Sequence, residues 1–494
     1  MPADFFLPIS DQKTPPTYKY FNGKDWIESL SGKKTEIISP VDGSIVGKLQ
    51  VNTTQEIDAV VEKAYEAQRS WEQTPMNQRA KIVHLAADWI REYQEYLISL
   101  MVMEIGKTYS ESKSEVIRTA DLIDYYAQEV QSIKGETLDS DNFPGFEKGR
   151  IALIERVPYG VVLAIAPFNY PVNLSASKIA PALLMGNSVI FKPPTQGGIS
   201  GLHLARIFQK AGVPEGVLTC VTGGGSEIGN YLVSHKKIDM IAFTGSSDTG
   251  AAIAKMAGMI PLLFECGGNN AAIVLPDADM SLTAKEIVKG AFSYAGQRCT
   301  AIKYVIGTPA VLDQILPKVV ETTKELVHMG DPRSPHTKLV GPLISETAVQ
   351  VIDQVINEAV KKGAQIVYGG KKDKAYLEPT ILKGVKPEMQ VVSREQFGPV
   401  LSFIQVDSVD QAVVIVNESH YGLQACIFSN DEGTGIVLAN RLKVGSVQLN
   451  GSPQRGPDHF PFLGVKGSGV GVQGVRYSLE AVSRLKPIVI NKPQ

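Results

Sequence analysis

From Gly160 to Leu275 the hydrophobic positions fall in short unbroken runs separated by stretches of helical periodicity. Val161-Val-Leu-Ala-Ile-Ala, Ser188-Val-Ile-Phe-Lys, Gly216-Val-Leu-Thr-Cys-Val, Met240-Ile-Ala-Phe-Thr and Pro261-Leu-Leu-Phe-Glu read as buried strands. Ile179, Leu183 and Leu184 mark a helix between the first two, and Ser200–Ala211, Glu227–Ser234 and Thr249–Met256 mark three more. Continuous apolar strands alternating with helices predict a parallel sheet covered on both faces. Upstream the pattern differs. Residues 1–50 hold short strand-like pieces between turns such as Tyr20-Phe-Asn-Gly-Lys. From Thr54 to about Gln131 the period is helical, with Ile57, Val60, Val61 and Ala64 on one face. Lys134-Gly-Glu-Thr-Leu and Arg150-Ile-Ala-Leu-Ile-Glu-Arg flank Asp141-Asn-Phe-Pro-Gly and predict a hairpin-like ribbon. Such a ribbon is marginal alone. It is expected to pair with another subunit or with the β-branched C-terminal segment Lys486-Pro-Ile-Val-Ile-Asn. A second α/β stretch starts at Ala271-Ala-Ile-Val-Leu and runs to about Gly445, with no clean sequence repeat of the first.

Ligands on open parallel sheets bind beyond the carboxyl ends of the strands, and these ends are rich in glycine and polar residues. They read Pro167-Phe-Asn-Tyr-Pro171, Lys192-Pro-Pro-Thr195, Gly223-Gly-Gly225-Ser-Glu-Ile-Gly229, Thr244-Gly-Ser-Ser-Asp-Thr-Gly250 and Glu265-Cys-Gly-Gly268. Glycines there let backbone N–H groups and a helix N-terminus approach a phosphate. Each stretch alone is an ordinary turn, and the third is one residue longer than the GxGxxG spacing; five on one sheet edge make a stronger signal. The run Tyr294-Ala-Gly-Gln-Arg-Cys-Thr-Ala-Ile-Lys303 places Cys299 between an amphipathic stretch ending at Gly296 and the β-branched Tyr304-Val-Ile. Arg298 beside it favours thiolate over thiol, which makes Cys299 a candidate nucleophile. Taken alone, a cysteine there reads first as a small core residue. Arg118, on the helical stretch Ser110–Tyr126, and Glu395, in the turn Arg394-Glu-Gln-Phe-Gly-Pro399, read from pattern alone as solvated side chains.

Composition narrows the classes. A chain of 494 residues exceeds one core and predicts two or three domains. A net charge of −2 supplies no global basic field, so neither nucleic acid nor an acidic membrane is an expected partner. Cys220, Cys266, Cys299 and Cys426 are widely spaced, without a CxxC pair. That argues against a disulfide framework or a structural zinc and fits a reducing, cytoplasmic setting. The first residues do not form a signal peptide, and no apolar run approaches the roughly 18 residues of a membrane span. Seven histidines show no HExxH-like spacing, so no metal is expected.

Taken together, the motifs resemble the aldehyde dehydrogenase superfamily. The matching stretches are Pro167-Phe-Asn-Tyr-Pro, Phe191-Lys-Pro, Phe243-Thr-Gly-Ser, Glu265-Cys-Gly-Gly, Gly296-Gln-Arg-Cys, Glu395-Gln-Phe-Gly-Pro and Pro461-Phe-Leu-Gly-Val-Lys-Gly-Ser-Gly, in the family's order along nearly the whole chain. The resemblance implies an α/β fold of three parts. A Rossmann-type cofactor domain is expected over 1–131 and 159–264, and an α/β catalytic domain over 265–446. A small oligomerisation ribbon is expected from 132–158 and 475–494, and a substrate-site loop over 447–474. It further implies that Cys299 attacks an aldehyde, that the Asn169 amide and the Cys299 N–H hold the resulting oxyanion, and that Glu265 activates the water that cleaves the thioester. Glu265 follows an apolar strand, so desolvation is expected to raise its pKa toward the working pH. Ala166, Pro167, Phe168, Lys192, Thr195, Gly225, Gly229, Phe243, Gly245, Ser246, Gly267, Glu395 and Phe397 are the implied cofactor contacts. Cofactor choice rests on Lys192 and Thr195: family members that prefer NAD commonly carry glutamate where this chain has the neutral Thr195, and Lys192 supplies charge, so NADP is expected over NAD. The chain departs from the family's usual Leu-Gly-Gly-Lys with Cys266-Gly-Gly-Asn269, which places a second thiol near the nucleophile and suggests an oxidative Cys266–Cys299 disulfide.

The substrate rests on arginines. Arg118, Arg298 and Arg455, with Tyr170, match the phosphate-binding residues of the family's non-phosphorylating glyceraldehyde-3-phosphate dehydrogenase branch. The runs Pro193-Pro-Thr-Gln-Gly and Arg455-Gly-Pro-Asp-His-Phe-Pro-Phe are similar to that branch. Arginine forks suit phosphate oxygens. The expected reaction is NADP-dependent oxidation of a small phosphorylated aldehyde, glyceraldehyde 3-phosphate, to 3-phosphoglycerate without inorganic phosphate, by a homotetramer or homodimer. Alternatives are a lactaldehyde or semialdehyde dehydrogenase and a CoA-acylating enzyme. A non-catalytic protein on the same fold is a further alternative, although Asn169, Glu265 and Cys299 are retained together. Glu265 argues against the CoA-acylating reading, because such enzymes generally lack that base.

Overall fold

The computed structural model describes residues 5–141, 143–145, 149–335 and 339–491. Its largest sheet runs in the order 469–470, 262–265, 240–244, 161–165, 188–192, 218–220, 20–21, 26–27. The strands from 262–265 through 218–220 are mutually parallel, and antiparallel strands close both edges. Alternation along each strand explains the unbroken apolar runs. Val162 and Ala164 enter one apolar cluster while Val161 and Leu163 enter another on the opposite face. Both faces are therefore covered.

The second sheet has the order 365–368, 380–383, 400–405, 302–307, 270–274, 424–428, 446–449, parallel except at its 365–368 edge. It is two-faced in the same way: Ala271 and Ile273 enter one cluster, Ala272 and Val274 the other. A third sheet joins 136–139, 150–158 and 483–491 in antiparallel register, Ser483 opposite Pro158 through Asn491 opposite Arg150. The C-terminal strand thus completes the ribbon. Asn142 of the expected turn, and the outermost residues of the expected first and last segments, lie outside the described residues.

The helical region 54–131 resolves into helices Thr54–Trp71, Met76–Glu92, Gln94–Ile105 and Tyr109–Glu129. The first starts with a capping box: Thr53 accepts from the Glu56 N–H, and Glu56 accepts from the Thr53 N–H at 2.8 Å. Several boundaries differ from expectation. The helix expected at Glu227–Ser234 is a π-helical turn Gly225–Gly229 followed by the short helix Asn230–Val233. The helix expected from Thr249 begins at Ser247, because the Ser246 side chain caps it by accepting from the Thr249 N–H. The helix before the cysteine ends at Phe292, not Gly296, and Tyr294, Ala295 and Gly296 then turn the chain through three successive left-handed residues. Gly296 is required there: a Cβ would stand 2.2 Å from the Gly398 carbonyl oxygen.

Candidate active site

The chain passes from strand 262–265 through 266–269 directly into strand 270–274, so the carboxyl edge of the first sheet abuts the amino edge of the second. Cys299 lies just before strand 302–307, and Glu395 and Phe397 lie just before strand 400–405, on that amino edge. In the first sheet the strand order reverses between 161–165 and 240–244, the crevice where open α/β sheets take ligands. A cavity of about 470 Å³ opens there. Of the expected cofactor residues, Ala166, Pro167, Phe168, Thr195, Phe243, Gly245, Ser246, Gly267, Glu395 and Phe397 line it, beside Asn169, Cys266 and Cys299. Lys192, Gly225 and Gly229 do not. Lys192 is buried with its Nζ donating to the Pro193 carbonyl at 3.2 Å. Gly225 and Gly229 follow strand 218–220, two strand spacings or about 10 Å beyond 161–165.

The lining fits a dinucleotide. A Cβ on Gly267 would stand 2.4 Å from Glu395 Oε2, so only glycine leaves that wall open. Glu395 is the one carboxylate in the lining, and Thr195 places a neutral hydroxyl at the end of strand 188–192, where no charge opposes a 2′-phosphate. The helix Ser247–Met256 directs its N-terminus at the same crevice. Burial raises the Glu395 carboxyl above its usual range, against a 3.0 Å bond from the Gly268 N–H and the charge of Lys303.

A second chamber of about 140 Å³ lies on the other side of Cys299, lined by Arg118, Tyr170, Glu265, Arg298 and Arg455. The folded chain therefore brings together all four expected substrate residues, the expected base and the expected nucleophile. Their pairing was not foreseen. Arg455 Nη1 donates to Glu265 Oε1 at 2.5 Å, and Nη2 donates to Gln473 Oε1 at 2.9 Å. Arg118 grips Asp458 through Nε and Nη2 at 2.8 and 2.7 Å and also donates to the Arg455 carbonyl. Arg298 donates to the Gly290 carbonyl at 2.7 Å, while its Nε is buried without a partner.

The protonation expectations change accordingly. Burial pushes the Glu265 carboxyl up, as expected, but the charges of Arg455 and Lys178 and the Thr244 hydroxyl outweigh it and hold the group below its ordinary value. Burial, with the charges of Glu265 and Glu395, pushes the Cys299 thiol up to about 12; Arg455 and Arg298 offset this only in part. Arg298 does favour the thiolate, as expected, but burial and the two carboxylates outweigh it. Cys266 lines the cofactor cavity but turns its sulfur toward Gly250, and both it and Cys299 are free thiols.

Several supporting residues were missed. Lys178 Nζ donates to Thr244 Oγ1 at 2.6 Å, and Thr244 donates to Glu265 Oε2 at 2.8 Å, a short relay behind the carboxylate. Burial lowers Lys178 to about 8. Its signal was a single lysine in a helix, Asn173–Leu184, that is buried on every side. Lys107 and Glu115 form a pair at 2.5 Å with side chains 1% and 0% exposed. Glu115 Oε1 accepts from the Val172 and Asn173 N–H groups, and Lys107 donates to the Asn169 carbonyl, each at 3.0 Å. This pair fixes the loop that carries Asn169. The Asn169 amide donates one hydrogen to the Gln297 carbonyl at 3.0 Å, leaving its second for another acceptor. Among the described residues no cluster of His, Cys, Asp and Glu suits a metal ion, and no helix is long and apolar enough to cross a membrane.

The expected nucleophile and base thus meet where the larger cavity adjoins the arginine-lined chamber, an arrangement of the aldehyde-oxidising class, and residues 26–488 match the aldehyde dehydrogenase family. The chain belongs to that family. It is 43% identical over 478 residues to NADP-dependent glyceraldehyde-3-phosphate dehydrogenase of Pisum sativum, covering 96% of each chain. Against the enzyme of that name from Streptococcus equinus it is 43% identical over 475 residues, covering 96% of this chain and 98% of the other. Among solved structures, NADP-dependent glyceraldehyde-3-phosphate dehydrogenase from Bacillus halodurans C-125, complexed with NADP, superposes with a TM-score of 0.93 at 44% identity, over 96% of this chain and 99% of that one.

Proposed function

We propose that this chain oxidises glyceraldehyde 3-phosphate to 3-phosphoglycerate with NADP as oxidant and water, not inorganic phosphate, as the final acyl acceptor. The observation that carries the reading is the small chamber in which Arg118, Arg298, Arg455 and Tyr170 converge beside Cys299 and Glu265. Guanidinium forks match phosphate oxygens, and a chamber of about 140 Å³ suits a three-carbon chain. The names of the relatives point the same way.

In this reading the Cys299 thiol gives up its proton to solvent, and its sulfur bonds to the aldehyde carbon and gives a tetrahedral adduct. The second Asn169 amide hydrogen and the Cys299 N–H stabilise its oxyanion, each such donor being worth roughly 2.7–4 kcal/mol of barrier. NADP, bound in the 470 Å³ cavity, supplies the hydride acceptor. Loss of hydride leaves a thioester on Cys299. Glu265 takes a proton from water as its oxygen bonds to the thioester carbon, and the carbon–sulfur bond breaks. Thr195 and the neutral wall around it favour NADP over NAD. The ribbon of 136–139, 150–158 and 483–491 exposes Leu138, Leu485 and Val489 on one face and Leu153, Ile488 and Ile490 on the other, and burial of such apolar surface supports a homodimer or homotetramer.

The test is NADPH formation from glyceraldehyde 3-phosphate in phosphate-free buffer. Stoichiometric 3-phosphoglycerate is expected. An absolute requirement for inorganic phosphate or for coenzyme A would overturn the reading.

A further inference from the structure

Arg455 faces two groups that need it. Its guanidinium lines the chamber assigned to the substrate phosphate, yet its Nη1 is committed to Glu265 Oε1 at 2.5 Å, with the two side chains 12% and 3% exposed. The other carboxylate oxygen accepts from Thr244 and lies 3.8 Å from Lys178 Nζ. Both oxygens of the base therefore already carry donors. Other groups around Glu265 are Tyr126 from helix Tyr109–Glu129, Asp458 from the Arg455 loop, and the Cys299 and Cys266 thiols. None of these is a cation that replaces Arg455. Meanwhile Arg298 Nε and Tyr294 Oη are buried with no partner, and both residues line a pocket that adjoins the chamber and shares Arg118, Tyr170 and Arg298 with it. Donors wait on the phosphate side while the base is saturated on the other.

We propose that the substrate's phosphate is a switch on the base: by drawing the Arg455 guanidinium from Glu265 Oε1, it frees Glu265 to deprotonate the water that cleaves the thioester. The idea rests on the function proposed above. It makes the phosphate a determinant of turnover as well as of binding, with Arg455 the specificity-determining residue. The step balances without a further reactant. The water oxygen bonds to the acyl carbon, its proton passes to Glu265, the carbon–sulfur bond breaks, and the departing sulfur recovers a proton as Cys299. Freed of its closest cation, Glu265 also moves up toward the working pH, since burial then opposes ionisation with less compensation.

The experiment compares D-glyceraldehyde 3-phosphate with unphosphorylated D-glyceraldehyde on the full-length enzyme, following NADPH through the first turnover and into the steady state. Glyceraldehyde is expected to give a burst near one NADPH per active site and then a slow phase. Added phosphite should raise the slow phase on the order of tenfold without changing the burst rate. The acid limb of the steady-state rate should lie at higher pH with the phosphorylated aldehyde than with glyceraldehyde. In Arg455→Gln the phosphite response should vanish and the two limbs should coincide. Phosphite acceleration of the burst alone, or coincident limbs in the wild type, would overturn the switch while leaving the substrate assignment intact. Failure to oxidise glyceraldehyde 3-phosphate at all would defeat that assignment, and the switch with it.

Discussion

Replacing Lys107 by methionine isolates the buried pair that holds the loop carrying Asn169. The substitution keeps most of the apolar stem and removes four interactions. These are the 2.5 Å ion pair with Glu115, the 3.0 Å bond to the Asn169 carbonyl, and the ammonium over the Tyr170 and Tyr294 rings at 3.5 and 4.5 Å from their centroids. Glu115 stays wholly buried without a countercharge. Breaking one side of such a pair costs about 3–5 kcal/mol, and each lost cation–π contact adds about 0.5–2 kcal/mol. The sum is a large fraction of a typical stability of about 5–15 kcal/mol. Activity should fall as well, because the loop keeps its anchors at Val172 and Asn173 but loses the one at Asn169. Losing an oxyanion donor outright costs about 10²–10³ in kcat, and a misplaced donor should cost about 10–100-fold. The second arm is the Lys107→Met/Glu115→Gln double variant, which removes both charges while keeping an acceptor for the two N–H groups. It should be more stable than Lys107→Met alone, yet still slow. Denaturant midpoints at fixed protein concentration and kcat with glyceraldehyde 3-phosphate read both quantities. A single variant within about 1 kcal/mol of wild type, or a double variant destabilised beyond the single one, would show that the pair does not bear this role.

Three further outcomes follow from the site. Asn169→Ala should lower kcat by roughly 10²–10³ with folding intact, and a change confined to KM would remove the amide from oxyanion stabilisation. Thr195→Glu puts a carboxylate beside the expected 2′-phosphate; at about 6 Å and an effective dielectric constant near 20 this costs about 2–3 kcal/mol. kcat/KM for NADP should therefore fall roughly 30- to 150-fold, and an equal loss with NAD would place the 2′-phosphate elsewhere. With its thiol near 12 in the free enzyme, Cys299 should hold a thiolate fraction on the order of 10⁻⁵ at pH 7. Its alkylation by iodoacetamide, mapped by peptide analysis, should rise about tenfold per pH unit from 7 to 9, whereas a plateau in that window would mean a thiolate already formed.

The parts of the fold that local pattern controls were legible. Strand Met240–Thr244 and strand Ser188–Lys192 have the bounds their apolar runs announce. Asn169, Glu265 and Cys299, each singled out by a short motif near a strand end, lie around one site in the folded chain. What local pattern does not carry is partnership across the chain. Arg118 and Asp458 are 340 positions apart, and Glu265 and Arg455 are 190 apart. Helix Gly198–Lys210 begins two residues before its expected start because Glu104, 95 positions from Ile199, accepts from its first N–H groups. The misjudged direction for Glu265 has the same origin. Its desolvation could be inferred from the strand before it, but the cations that outweigh desolvation come from a helix and a loop that only folding delivers.

The charge pattern also explains how a chain of net charge −2 can hold an anion chamber without a standing excess of positive field. Each of two chamber arginines already has a carboxylate, Asp458 for Arg118 and Glu265 for Arg455, so the unliganded site is nearly neutral and stable. A free guanidinium buried to this extent would be costly. An incoming phosphate finds Arg298 without a carboxylate partner, but to recruit Arg118 or Arg455 it must displace a carboxylate, and the gain there is the difference between two ion pairs. Such an exchange lowers affinity for the phosphate below what three free arginines would give. In return, binding and the state of the base become a single equilibrium. Selectivity between a phosphorylated aldehyde and its unphosphorylated counterpart is then expressed at thioester hydrolysis, a step a simple anion pocket leaves untouched.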